Sequence, residues 1–315
     1  MDTIPIYSKL ISESLLSLYP VFVKKISIPI DLQLWTRLIT YVLISLFFIN
    51  LSWISSNIFT LPAISLAIIN IAHIYTSYEG FNNMDSGVAY SIFNIYPLLI
   101  LLISGVSWKF EYFYAIGGLI LFIYSSYLNK IKNNIANIVE INFVYGFGMM
   151  MIAALTEAFI YFIVRNLKTD NNWNQLFIAY FFGAILTSIW VVQKYLLEDK
   201  EDFTTNQTNP TNQTNPTDTT NQTNPTNPTD KHNFINSGKL GLVGLAIIIN
   251  GIIGSFGYWL RFYSLYRLDP ATYSMLSFFG IIMAYFYGIV INGESIDIYK
   301  ILGTVLIILS NILII

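Results

Sequence analysis

The chain has 315 residues, of which 55% are hydrophobic and 11% are charged, and its mean hydropathy is +0.58. Soluble domains have about a quarter of their residues charged, so this composition excludes an ordinary soluble domain and predicts an integral, multi-pass membrane protein. The net charge of −2 provides no basic surface for nucleic acid, and the absence of cysteine excludes disulfides and thiolate sites. The two histidines, His73 and His232, offer little for His-based metal or triad chemistry. We expect no enzymatic activity, no bound metal and no cofactor.

Apolar segments long enough for a bilayer recur along the whole chain. A bilayer core requires about 20 residues of helix, and segments of this length without alternation are not barrel strands. We therefore predict an all-α integral membrane protein with ten transmembrane helices and both termini on the same side of the membrane. The spans are placed at 4–23, 34–54, 62–78, 86–104, 112–128, 142–164, 175–193, 240–260, 271–291 and 298–315.

One long polar segment separates the seventh span from the eighth. Residues 198–238 contain repeats of the letters TNQTNPT, which offer nothing apolar to bury. Such a composition predicts a disordered loop. The segment contains N-x-T acceptor sequences at Asn206, Asn212 and Asn221, whose glycosylation depends on which side of the membrane the loop occupies.

Short sequence patterns of the first half recur in the second half, about 180 residues later. DSGVAY at 85–90 aligns with DPATYS at 269–274, and IGGLI at 116–120 aligns with LGTVL at 302–306. We therefore divide the chain into one five-helix repeat at 1–137 and a second at 138–315, the second interrupted by the loop at 198–238. Because five is odd, the second copy would be inverted in the membrane, as in many secondary transporters whose substrate site lies between the repeats.

The C-terminal sequence 271–315 resembles the end of an EamA-type repeat of the drug/metabolite transporter superfamily. The resemblance lies in a small-residue helix, the Gly-Glu step at 293–294 and a final helix that opens with Gly303. Two Tyr-Pro steps, at 19–20 and 96–97, look like the first and fourth helices of the same fold. The resemblance implies a ten-helix carrier that works by alternating access. It implies no particular substrate, because this superfamily carries nucleotide sugars, sugar phosphates, amino acids and drugs.

Glu157 lies in the middle of an apolar span, in the stretch MMMIAALTEAFIYFIVR at 149–165. A charge at that depth costs several kcal/mol, so such residues usually face a cavity, a partner charge or a substrate path. When the long loop is left out, Glu13 of the first span aligns with Glu157. We predict that both carboxylates face one central cavity at similar depth, where they bind a proton, a cationic group or a polar solute. The alternative is that each one is a structural hydrogen-bonding group between helices.

Three further side chains are candidates for the substrate or proton site. His73 belongs to a polar stripe on the third span, and a hydrogen bond to a neighbouring helix is its alternative role. Tyr258 belongs to a group of aromatic residues suited to a cavity for organic or cationic solutes. Arg261 follows the glycine face at 251–257 and is a candidate for anion binding, whereas the default role of an arginine at a helix end is to anchor in the head groups.

These features predict a secondary active transporter of a small organic solute, with proton coupling through Glu157 and Glu13. Two alternatives stay open. One is an exchanger of anions such as nucleotide sugars or sugar phosphates, which would need cations such as Arg261 in its cavity. The other is a non-transporting membrane scaffold of the same fold. The expected partners are the lipid bilayer and the small-molecule solute.

Overall fold

A computed structural model describes residues 3–105, 109–133, 138–167, 169–197 and 237–313. These ranges are helical throughout, with short connections and no strand. In chain order the helices are α1 (Ile4–Leu16), α2 (Tyr19–Lys25), α3 (Ile30–Ser45), α4 (Leu51–Asn57), α5 (Leu61–Asn83), α6 (Ser86–Phe93), α7 (Tyr96–Ile103), α8 (Tyr112–Asn133), α9 (Ile138–Asn166), α10 (Asn172–Val192), α11 (Ser237–Ile249), α12 (Phe256–Arg267), α13 (Pro270–Asn292) and α14 (Ile298–Leu313). Wider π-helical turns extend α10 over Gln193–Leu197 and join α11 to α12 over Asn250–Ser255.

The predicted polar loop, including its three N-x-T sequences, lies outside the described residues over 198–236. Residues 237 and 238, which the sequence assigns to the loop, begin α11 instead.

Several of the described helical segments are long and apolar enough to cross a membrane. They are Leu61–Asn83, Ser86–Ile103, Asn142–Asn166, Asn172–Tyr195, Leu240–Arg267 and Pro270–Asn292. Tyr112–Leu128 and Ile298–Leu313 are shorter apolar helices at two further predicted spans. The first two predicted spans correspond to the pair α1–α2 and to α3, which has 16 residues.

The bundle exposes apolar side chains and buries polar ones. Large hydrophobic residues such as Phe47, Ile252 and Val290 lie on its outer surface, whereas lysine, arginine and glutamate side chains are among the buried residues. Lipid-exposed surfaces are apolar, and charged side chains within a membrane face the bundle interior. The distribution is therefore that of a protein whose solvent is lipid.

Two proline-containing steps break helices close to the middle of the bundle. The chain turns between α1 and α2 immediately before Tyr19-Pro20, and between α6 and α7 immediately before Tyr96-Pro97. Proline lacks an N–H and is tolerated in the first turn of a helix, so a new helix begins at each step. Tyr19 and Tyr96 are both buried at these breaks, so each break directs a phenol into the interior.

The helices pack in a small number of close pairs. α5 lies along α9, α3 along α10, and α8 along α14. α1 contacts both α12 and α13, while α9 contacts α6 and α7, and α6 also packs against α13. The interior is thus formed mainly by α1, α5, α6, α9, α12 and α13.

The contact between α8 and α14 depends on two glycines. A Cβ added to Gly118 would lie 2.6 Å from the carbonyl oxygen of Gly303, and one added to Gly303 would lie 2.9 Å from the carbonyl oxygen of Gly118. Both distances are too short for a real contact, and backbone atoms cannot rotate away as a side chain can. Small residues are the usual means of such close approach between membrane helices.

Gly118→Ala should therefore force α8 and α14 apart and lower the stability of the protein by about 1–3 kcal/mol, the usual range for overpacking. The neighbouring Gly117→Ala is the matched control, because its added Cβ would meet only Leu306, at 3.4 Å. Thermal unfolding of both variants in detergent measures the difference. Equal midpoints for the two variants would contradict this close contact.

Polar contacts tie several helices together at the end of the bundle where α2 and α13 finish. The Glu294 carboxylate accepts hydrogen bonds from Lys24 Nζ at 2.6 Å, from Ser86 Oγ at 2.6 Å and from the Ser86 backbone N–H at 2.7 Å. Although burial favours the neutral carboxyl, the contacts with Lys24 and Ser86 hold the pKa of Glu294 below its ordinary value.

This depressed pKa predicts a dependence of stability on pH. A group whose pKa is lower in the folded state contributes its stability above the unfolded pKa and loses it as the pH falls through the folded value. Between about pH 6 and about pH 3 the thermal midpoint of the wild type should fall further than that of Glu294→Gln. Glu111→Gln removes a half-buried carboxylate elsewhere and should follow the wild type. If Glu294→Gln also follows the wild type, the Glu294 carboxylate does not contribute this pH dependence.

Candidate functional site

The first of two buried ion pairs lies within α1. Lys9 Nζ is 2.5 Å from Glu13 Oε1, one helical turn away, and the two side chains are 0% and 1% exposed. The other carboxylate oxygen, Glu13 Oε2, accepts a hydrogen bond of 2.9 Å from the Tyr90 hydroxyl on α6. Both oxygens of Glu13 therefore have partners inside the bundle.

The second ion pair joins α9 to α12. Arg261 Nη2 lies 2.5 Å from Glu157 Oε1, and both side chains are buried. The other oxygen, Glu157 Oε2, is 3.4 Å from His73 Nε2 on α5 and has no hydrogen-bond partner among the described residues. Three helices thus converge on the one carboxylate that the sequence places in the middle of its span.

The other ring nitrogen of His73 contacts residues of α9. Its Nδ1 lies 3.2 Å from the Ala153 carbonyl oxygen and 3.2 Å from Thr156 Oγ1. These neighbours orient the ring so that Nε2 faces Glu157. The structure therefore includes both the interhelical hydrogen bond that was the alternative role and the contact with a carboxylate.

Two tyrosines connect the ion pairs into one cluster. Lys9 Nζ lies 3.7 Å from the centre of the Tyr273 ring and donates to the Tyr96 hydroxyl at 3.4 Å. Arg261 Nε donates to the Tyr273 hydroxyl at 3.2 Å, and the Arg261 guanidinium carbon is 5.4 Å from the Tyr96 ring. The Tyr96 hydroxyl is also 2.7 Å from Ser277 Oγ. Glu13 and Glu157 therefore belong to one polar layer, each with its own basic partner.

Arg37 on α3 is a third buried cation that the sequence analysis missed. Its side chain is 2% exposed, and no described carboxylate forms an ion pair with it. Its guanidinium is surrounded by four phenol rings at 4.7–5.6 Å, those of Tyr19, Tyr41, Tyr78 and Tyr258. Cation–π contacts of this kind stabilise a guanidinium when it is removed from water.

Tyr258 lies between the two arginines. The centre of its ring is 4.8 Å from the guanidinium carbon of Arg37 and 5.7 Å from that of Arg261. The predicted aromatic site residue therefore contacts both cations.

Sequence reasoning did not find Lys9 and Arg37, although the sequence contained a signal for each. Lys9 precedes Glu13 by four residues on a helix, which is the spacing of an intrahelical ion pair. Arg37 lies within the predicted span 34–54, where the cost argument applied to Glu157 holds equally. Arg261 does not have the default role of an arginine at a helix end. Its guanidinium is buried in the bundle instead of extending toward the lipid head groups. Arg165 and Arg267 are exposed near helix ends and fit that anchoring role.

The space inside the cluster is small, while the two ends of the bundle are more open. A cavity of about 20 Å³ is lined by Arg37, His73, Tyr90, Tyr258 and Arg261, which is space for about one water molecule. A cavity of about 360 Å³ at one end is bordered by residues such as Lys24 and Lys300, and one of about 490 Å³ is bordered by residues such as Thr169 and Arg267. The polar layer thus lies in a constricted middle section.

The two buried ion pairs are costly in free energy, and their charged groups can exchange partners. Removing two charges from water costs more than their attraction commonly returns, and loss of one partner from a buried pair costs about 3–5 kcal/mol. A proton or a charged group that enters the layer would change which pairs are favourable.

Comparison with known sequence families gives a match in the C-terminal region. Residues 225–315 match the sequence profile of the EamA-like transporter family, a part of the drug/metabolite transporter superfamily. No curated protein gives a significant match to the chain. The matched segment contains α11 to α14, and therefore Tyr258, Arg261 and Tyr273 of the polar layer. Together, the apolar helices and this match identify the chain as an integral, multi-pass membrane protein whose C-terminal region is similar to the EamA-like transporter family.

Proposed function

We propose that this protein is a secondary active transporter that moves a small organic solute by alternating access, with proton coupling through Glu157 and Glu13. The observation that carries the proposal is the polar layer, in which two buried ion pairs, Lys9–Glu13 and Arg261–Glu157, share the phenols of Tyr96 and Tyr273. Charged side chains inside a membrane are expensive, and they commonly mark substrate and ion pathways. The EamA-like match supports transport as the use of this layer.

An inverted pair of five-helix repeats accounts for the pattern of helix contacts. In this division α1–α2 corresponds to α9, α3 to α10, α5 to α11–α12, α6–α7 to α13, and α8 to α14. The contact of α5 with α9 then matches that of α12 with α1, and the contact of α9 with α6 and α7 matches that of α1 with α13. The contact of α10 with α5 matches that of α3 with the segment Asn250–Ser255. A two-fold axis between repeats produces such an exchange of partners, which supports the ten-span arrangement.

The Arg261–Glu157 pair is the contact that a conformational change must break. It joins α12 to α9, whereas both members of the Lys9–Glu13 pair lie on α1. A proton on Glu157 removes the charge that holds Arg261, so α12 becomes free to move relative to α9. Glu157 Oε2 is the oxygen available to the proton. His73 Nε2, at 3.4 Å, can take up an entering proton and pass it to Glu157, which returns the ring to its neutral form with the proton on Nδ1 beside the Ala153 carbonyl oxygen.

The constriction at the polar layer supports alternating access. The two end cavities lie on either side of it, and the middle holds only about 20 Å³. A solute can therefore reach the layer only after one side widens, and it can leave only after the other side does.

Glu157→Gln should strongly reduce proton-coupled uptake, and its unfolding midpoint should be lower than that of the wild type because Arg261 loses its buried partner. Wild-type protein in liposomes is tested with a panel of small organic solutes under an imposed pH gradient. We expect uptake of at least one solute by the wild type and a decrease of about tenfold or more in the variant, because the group that binds the proton is lost.

Glu111→Gln is the control for this experiment, since Glu111 lies before α8 and away from the polar layer. Its uptake should equal that of the wild type. Unchanged uptake in Glu157→Gln would contradict the coupling role, and a wild type that moves no solute would favour the scaffold alternative.

The inverted repeat predicts the sides of the membrane on which three positions lie. The chain contains no cysteine, so single cysteines can be placed at Lys25, Asn142 and Thr169, and an impermeant maleimide added from one side at a time. Lys25 follows the end of the first span, whereas Asn142 and Thr169 flank the span of α9. We expect Lys25→Cys and Asn142→Cys to react from the same side and Thr169→Cys from the other. Repeats of parallel orientation would instead place Lys25 with Thr169.

A further inference from the structure

Arg37 differs from the other buried cations in having no ionic partner among the described residues. Lys9 and Arg261 each lie 2.5 Å from a carboxylate oxygen. Arg37 is just as deeply buried, yet its Nε and Nη2 have no hydrogen-bond partner in the part of the chain that the structure describes. A buried guanidinium with two unused donors is costly unless something else binds to it.

The two free nitrogens lie on one edge of the guanidinium. Nε–H and Nη2–H point in the same direction and form the fork that binds both oxygens of a carboxylate or two oxygens of a phosphate. Arg261 uses the same edge within the protein, because its Nε donates to Tyr273 and its Nη2 contacts Glu157. The edge that Glu157 fills on Arg261 is therefore the edge that stays available on Arg37.

Phenol rings and the central cavity border the Arg37 side chain. Phenol rings contact the guanidinium, with ring centres from 4.7 to 5.6 Å away. Arg37 also lines the central cavity together with His73, Tyr258 and Arg261. A group bound to Arg37 would thus lie next to the residues of the polar layer.

The buried charges of the polar layer and of the neighbouring Arg37 do not balance. Lys9, Arg37 and Arg261 contribute three positive charges, and Glu13 and Glu157 contribute two negative ones. A solute with one negative charge would neutralise the excess and provide the partner that Arg37 lacks.

We propose that Arg37 binds the oxyanion of the solute, a carboxylate or a phosphate, through its Nε and Nη2 edge, so that the transported solute is a small organic anion. Transport of that anion rests on the proposed carrier function, whereas its binding does not. The cavity of about 20 Å³ must widen for binding, which Tyr258, between the two arginines, can permit by turning away.

The test measures the thermal unfolding of the purified full chain in detergent. Acetate and inorganic phosphate are the anionic probes, acetamide is the neutral probe, and methylammonium chloride is the cationic probe, all at equal ionic strength. A ligand that binds the folded state raises the unfolding midpoint. We expect acetate, phosphate or both to raise the midpoint, and acetamide and methylammonium to leave it unchanged. The anion that raises the midpoint shows whether Arg37 binds a carboxylate or a phosphate.

Variants of Arg37 show whether the effect arises at this residue. Arg37→Met removes the charge and keeps an apolar chain among the rings, so it should lose the anion-dependent rise without a lower midpoint in the absence of anion. Arg37→Lys keeps the charge but loses the fork, and its apparent affinity for the anion should fall about tenfold. Arg165→Gln removes an exposed arginine and should respond as the wild type does.

Two results would overturn the proposal. In one, neither anion raises the wild-type midpoint more than acetamide does; in the other, the anions raise the midpoint of Arg37→Met as much as that of the wild type.

Uptake into liposomes distinguishes this failure from failure of the carrier function. A carrier whose uptake is the same in the wild type and in Arg37→Met would contradict only the role of Arg37. An anion effect that depends on Arg37 in a protein that moves no solute would contradict only the carrier.

Discussion

The ion pair between Arg261 and Glu157 is the interaction on which the rest of the interior depends. Lipid cannot solvate either charge, so each must find its partner within the bundle. The pair brings α12 to α9, and His73 adds α5 to the same carboxylate. Tyr273 then connects Arg261 to Lys9 and so to the second ion pair. These polar contacts therefore connect the helices that surround the centre.

The backbone supports this layer through its irregular positions. The break before Tyr96-Pro97 ends one helix and starts another, and it buries the phenol that contacts both Lys9 and Arg261. The break before Tyr19-Pro20 does the same for a phenol beside Arg37. Since proline cannot donate a hydrogen bond, helix breaks at these steps follow from local sequence alone.

Much of the fold could be predicted from the sequence, because hydropathy and proline act locally. The apolar spans and the bends near Pro20 and Pro97 follow from composition and backbone chemistry. Glu157 and Glu13 stood out because an intramembrane charge is expensive wherever it lies. Their partners were harder to identify. The pairing of Lys9 with Glu13 could have been predicted from their spacing of four residues. The pairing of Arg261 with Glu157 could not, because it depends on how distant helices pack, which periodicity does not encode.

The surroundings of Arg37 also depend on how distant helices pack, so the sequence does not reveal them. The sequence places Arg37 in an apolar span, but only the packed structure shows that four phenols surround it and that no described carboxylate pairs with it. Arg37 matters because it is a buried positive charge without a negative partner. Which charges are paired can be determined only after the helices are assembled. The excess positive charge links the proposed carrier to an anionic solute, which the family match alone does not specify.

The central claim is that the Arg261–Glu157 pair serves transport and is more than a link between helices. The most direct test compares Glu157→Gln, Arg261→Gln and the double variant in both unfolding midpoint and solute uptake. Removing one partner leaves a buried charge unpaired, and removing both relieves that cost. We predict that the double variant regains most of the wild-type midpoint but no uptake. A double variant that regains stability and uptake together would contradict the claim, because the pair would then be a structural contact alone.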